Sequence, residues 1–146
     1  KELTWMDMRI ASDLELGLSI YEPFGIAQME PLSFGGICLV SSVCGSAGFA
    51  LKAAGDGKPE TVVIADFTAL PKKVRTLEEV RSIGITERDE VEERVCREAA
   101  AEVVKRLPED DQERMALLKK GSALAARMSW DVVVDDYLVP ALRSAE

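Results

Sequence analysis

Histidine is absent from all 146 residues. That removes the side chain that changes charge near neutral pH, and with it serine–histidine and cysteine–histidine catalysis and the commonest metal ligand. Cysteine is scarce: Cys38, Cys44 and Cys96 show no C-x-x-C spacing, which argues against structural zinc. Their odd number and low density point to a reducing, cytoplasmic setting. Long hydrophobic runs are missing too, because a membrane span needs roughly 18–20 apolar residues and the best stretch here, Ile37 to Val43, suits a buried strand. Neither end has the pattern of a signal or transit peptide. Basic residues are outnumbered, 18 against 26 acids, for a net charge of -8. Only Lys72, Lys73 and Arg75 cluster, which argues against a nucleic-acid surface. No G-x-G-x-x-G loop follows a strand, so a nicotinamide-dinucleotide Rossmann enzyme is excluded.

What is present reads as a single α/β domain over 1–146, with an α/β part at 1–68 and a helical part at 86–146. Hydrophobic residues at 47% and charged residues at 30% suit a chain that buries a core. A strand is expected over 14–20, opening onto Tyr21-Glu22-Pro23. The spacing in "PFGIAQMEPLSF" (23–34) predicts a short or kinked helix with Pro23 in its first turn. Gly35-Gly36 should end it. "GICLVSSV" (36–43) is a continuous apolar run of the doubly covered parallel type. "CGSAGFALKAAGDGKPE" (44–60) reads as a glycine-rich loop with a short helix, and "TVVIADF" (61–67) as a second buried strand ending at Asp66. Strand–helix–strand succession gives right-handed parallel units.

Beyond residue 86 the pattern turns helical. Thr86 and Asp89 approximate a capping box for a helix near 87–106, with Val91, Val95, Ala99, Val103 and Leu107 as its apolar stripe. Pro108 stops it. A helix over 110–128 should turn Met115, Leu118, Ala125 and Met128 inward, and Ser129 should cap a last helix with a broad apolar face and a core Trp130. One turn of helix is expected at 77–83. Asp135 and Asp136 are adjacent on a helix, so they diverge and do not pair on a metal.

In an open parallel sheet, ligands collect at the carboxyl ends of the strands. A helix starting at Pro23 would offer the unpaired amides of Gly25 and Ile26 to a phosphate or sugar, with Glu22 beside them. Glu30, two turns on, can accept hydrogen bonds from the vicinal hydroxyls of a ribose. Gly45 and Ser46, after the next strand, would border the same crevice and present amides to a diphosphate.

The string "SIYEPFGIAQMEPLSFGGICLVSSVCG" resembles the signature of retaining nucleotide-sugar glycosyltransferases with two Rossmann-like domains (GT-B), among them the glycogen and starch synthases and the broad group-1 transferases. Ser19, Glu22, Pro23, Phe24, Gly25 and Glu30 match the pattern, as does the strand at 37–42, and "ALAARMSWDVVVDDYLVPAL" (123–142) is similar to the family's ending. The resemblance implies a partial Rossmann-like fold, the second half of a carboxyl-terminal donor-binding domain, with parallel strands followed by helices. It implies that Glu22 lies against the donor sugar and reaction centre, that Glu30 holds the ribose, and that Phe24, Gly25 and Ile26 contact sugar and phosphates. It implies a nucleotide-diphosphate sugar donor such as ADP- or UDP-glucose, a glycan acceptor bound by a separate amino-terminal domain, and no metal or other cofactor.

The chain departs from the family in three ways: Cys44-Gly45-Ser46 replaces a glycine pair, no diphosphate-neutralising Arg and Lys is matched, and no acceptor domain is present. Lys1 in place of an initiator Met suggests a piece of a longer chain, itself inactive. An open edge at strand 14–20 would favour pairing between copies. A rival reading is a degenerate domain of the same type that serves as a regulatory or protein-interaction module.

Overall fold

The computed structural model describes residues 2–19 and 22–144. The strand expected over 14–20 ends at Gly17, with Leu18 and Ser19 outside it; Ile20 and Tyr21 lie outside the described residues. The chain is α/β, built on a three-stranded parallel sheet in the order β1 (Leu14–Gly17), β2 (Ile37–Ser41), β3 (Val62–Ala65). Leu14 pairs with Ile37, and Cys38 with Val62. Before the sheet stands α1 (Trp5–Ile10), capped by the Thr4 hydroxyl and the Asp7 carboxylate in reciprocal bonds.

Every residue of β2 is buried, as a strand covered on both faces must be. Its side chains alternate between two cores. Cys38 and Val40, with Val62 of β3, meet Leu32, the small side chains Ala47 and Ala50 of α2 (Gly45–Ala54), and Leu124 of a later helix. Burial pushes the Cys38 thiol up to about 12, so it behaves as an apolar filler. Ile37 and Leu39, with Val63 and Ala65, meet the Val91, Val95, Ala99, Val103 stripe of a long helix on the opposite face. Two crossovers therefore produce a sheet with helices above and below.

The helical half follows its local signals with shifted ends. The short helix α3 (Leu77–Arg81) opens on a Thr76–Glu79 capping box. The long helix α4 (Ile85–Val104) begins at Gly84, whose amide donates to Glu87 at 3.1 Å; the Thr86–Asp89 box expected from the sequence does not form. Leu107 lies past its end and is exposed, outside the buried stripe. Helix α5 (Asp111–Ala126) turns Leu117, Gly121 and Leu124 inward and leaves Met115 exposed. The reason is steric: a Cβ on Gly121 would overlap the Leu32 carbonyl oxygen, so α5 rests its backbone on the segment before β2 and rotates to do so.

The chain ends in α6 (Trp130–Val133), a π-helical turn (Val134–Leu138) and α7 (Val139–Arg143), together one rod. The Ser129 hydroxyl caps it by accepting from the Val132 amide. Pro140 has no N–H to bond back to Asp136, which suits the widened turn before it. Trp130, expected in the core, is 81% exposed.

β1 forms one edge of the sheet. The Ile37 amide donates to the Asp13 carbonyl at 2.8 Å, so Asp13, Glu15 and Gly17 face β2 while Leu14 and Leu16 turn their backbone groups outward. Among the described residues no strand pairs with that edge, and Leu16 is exposed. No described helix is long and apolar enough to cross a membrane.

Candidate functional site

Residues 22–29, between β1 and β2, do not form the expected helix. They make a loop that enters a 3-10 helix at Glu30–Phe34, closed by Gly35 at φ +84°. Two physical causes oppose the helical spacing. Gly25 adopts φ +80°, which a right-handed helix cannot contain. The carbonyls that would propagate a helix from Pro23 are also taken by another element: the Ser46 amide donates to the Phe24 carbonyl at 2.7 Å, and the Gly45 amide to the Glu22 carbonyl at 3.4 Å. Glu22 and Cys44 thus form a parallel bridge that prolongs the β1–β2 direction.

The amide-rich helix start expected at Pro23 is therefore found at Cys44, the N-cap of α2, and its first amides are already occupied. Gly45 and Ser46 serve the loop's backbone and do not point open amides at a diphosphate. The Cys44 thiol adds a second bond to the Phe24 carbonyl, at 2.9 Å, and lies 3.0 Å from the Ser46 hydroxyl. Gly25 packs so closely that a Cβ would stand 2.5 Å from the Cys44 sulfur, and a Cβ on Gly17 would overlap the Gln28 side chain. Glycine is thus required at both places.

The loop itself is differently disposed. The amides of Phe24, Gly25, Ile26, Ala27 and Gln28 donate to no acceptor among the described residues. Consecutive amides around a left-handed residue make a concavity suited to an anion. Glu22, partly buried, stands at the head of this loop, and Phe24 and Ile26 send their side chains outward. The structure therefore brings together Glu22, Phe24, Gly25, Ile26, Gly45 and Ser46.

Glu30 lies at the loop's other end, beside α1, where Arg9 donates to its carboxylate. The same guanidinium, only 6% exposed, bonds Glu15 of β1 at 3.0 Å and the Ala27 carbonyl at 3.4 Å, with the Trp5 ring 5.1 Å from its carbon. Sequence reasoning missed Arg9 and Glu15. Their signals were present, an arginine on a short helix among Trp5, Met6 and Met8 and a glutamate inside a strand, because each needs a partner to be buried. At the carboxyl end of β3, Asp66 accepts from the Thr68 hydroxyl (2.6 Å) and amide (2.9 Å) and from the Ser42 hydroxyl (2.8 Å). These bonds, the Thr68 hydroxyl first, hold its carboxyl below the usual range.

An apolar groove of about 600 Å³ adjoins the loop, between Phe24, Ile26, Phe49 and Met128 on the body and Trp130, Val133 and Tyr137 on the terminal rod. Phe49 meets Tyr137 edge-on at 6.5 Å, and the Lys52 ammonium sits 4.4 Å from the Tyr137 ring centre. Comparison with protein-family models, with curated proteins and with solved structures finds no match to this chain.

Proposed function

We propose that this chain is the donor-binding portion of a retaining glycosyltransferase of the GT-B, glycogen/starch synthase-like type, carrying part of a Rossmann-like carboxyl-terminal domain. The observation that carries the reading is the run of unengaged amides from Phe24 to Gln28, around the left-handed Gly25 at the carboxyl end of a parallel sheet and headed by Glu22. Amides so placed stabilise the negative charge of a departing nucleoside diphosphate, the same electrostatic service that a preformed anion hole provides. Glu22 faces the donor sugar, and Glu30 accepts from the ribose. A glycan acceptor would be supplied from outside residues 1–146, and glucose on ADP or UDP fits the resemblance best.

The test is a titration of the chain with ADP and with UDP, followed by amide NMR. Saturable shifts at Phe24, Gly25, Ile26 and Glu30 are expected, with reduced affinity when Glu30→Gln removes the charged acceptor. Unmoved resonances at those four residues, up to millimolar nucleotide, refute the reading.

A second reading is favoured by the groove. Four aromatic side chains, Phe24, Phe49, Trp130 and Tyr137, line an uncovered surface, as a degenerate transferase domain recruiting a protein partner would present. Nucleotide silence in the titration favours this module.

A further inference from the structure

We propose that Arg9 is a positioning residue for the donor: it grips one oxygen of Glu30 so that the other is aimed at the vicinal hydroxyls of a nucleoside-diphosphate ribose. The inference rests on the donor-site reading above and adds to it a residue outside the signature string.

Three observations support it. First, Arg9 is almost wholly buried, yet it spends its bonds on three separate pieces of the loop's frame: Glu15 in β1, the Ala27 carbonyl inside the loop, and Glu30 at the loop's exit. A planar guanidinium holds its donors at fixed angles, whereas the three donors of an ammonium rotate on a flexible stem. Second, only Oε2 of Glu30 is engaged by Arg9; Oε1 receives no bond from a described residue, and the side chain as a whole is 51% exposed. One oxygen is anchored and the other is presented. Third, the Trp5 ring covers Arg9 on α1, whose Thr4–Asp7 cap fixes the helix from which Arg9 projects. The guanidinium is thus held before any ligand arrives, and ordering Glu30 costs binding little.

Two carboxylates around one guanidinium leave the cluster with a net negative charge, at the far end of the loop from Gly25. That separation suits a nucleotide laid along the loop, with its diphosphate at Phe24–Ile26 and its neutral ribose at Glu30.

The experiment measures affinities of ADP and 2′,3′-dideoxy-ADP for the unmodified chain, for the double variant Arg9→Met/Glu15→Gln, and for Arg9→Lys. The double variant removes guanidinium and strand carboxylate together, so no buried charge is left alone. The unmodified chain is expected to prefer ADP by roughly tenfold, the worth of hydrogen bonds to a charged acceptor. The double variant should keep its dideoxy-ADP affinity within about threefold and lose most of the preference. Arg9→Lys, the gentler change, should show a partial loss even if the double variant fails to fold. A folded Arg9 variant that binds both nucleotides and keeps the full preference overturns the positioning role alone. An unmodified chain that binds neither nucleotide overturns the donor-site reading and this inference with it.

Discussion

Strand β2 and the terminal rod of residues 130–143 are both dominated by apolar side chains, yet every residue of β2 is buried and none of the rod's is. The difference does not lie in composition. β2 has a strand on each side, α2, the 3-10 helix and α5 over one face, and α4 over the other. On the rod, Tyr137 meets Phe49 and Lys52 of the body, and no residue is more than partly buried. Apolar sequence states a demand for cover, and the surrounding elements decide whether that demand is met.

The contrast can be broken most forcefully at Leu32, 1% exposed between β2 and α5. Leu32→Ala should cost about 2–5 kcal/mol in urea unfolding, the usual range for a core cavity. A loss below about 1 kcal/mol would mean that this layer collapses readily and is no better packed than the rod. Next comes Gly121→Ala. Propensity alone predicts a gain of about 1 kcal/mol, but the new Cβ meets the Leu32 carbonyl, so a loss of about 1–3 kcal/mol is expected. Gly48, on the open side of α2 with nothing within 4 Å of a Cβ, supplies the control. The same substitution there should stabilise by about 0.5–1 kcal/mol. Trp130→Ser, removing the largest side chain of the rod, should change stability by no more than about 0.5 kcal/mol. A larger loss would show that the groove is closed in solution.

The smallest effect concerns pH at Asp66, whose carboxyl is depressed by Thr68 and Ser42. A group with a lowered folded value contributes above its unfolded value of about 4 and loses that contribution as pH falls through the folded one. The stability gap between the unmodified chain and Asp66→Ala should therefore be constant near neutrality and shrink below about pH 4. A gap that widens on acidification would contradict the bonds seen here.

Features that depend on neighbours in sequence were legible. The buried strands around Ile37–Ser41 and Val62–Ala65, the Val91–Val95–Ala99–Val103 stripe, the Gly35 stop and the Ser129 cap all follow from spacing or a single capping side chain. Features that depend on a distant partner were not. The helical spacing after Pro23 loses to Gly25's left-handed turn and to the start of α2, which draws on the carbonyls of Glu22 and Phe24 from some twenty residues away. Helix α5 is apolar on more than one side, so its inward face was decided by where a glycine could meet the 3-10 segment. Within the candidate site, Glu22, Gly25, Gly45 and Ser46 do gather, although the last two act through backbone bonds to the loop. Glu30's engagement by Arg9 was hidden, because nothing local marks a guanidinium that bridges α1, β1 and the loop.

The bare backbone of Gly121 against Leu32 also acts at a distance. Helix α5 ends at Ala126, and Met128 and Ser129 carry the chain directly into the rod, so the seating depth at Gly121 sets how far the rod stands from Phe24 and Phe49. One missing methyl group thereby works as a fulcrum. Raising α5 there would tilt the lever arm beyond it and alter the width of the aromatic cleft without touching any residue that lines it.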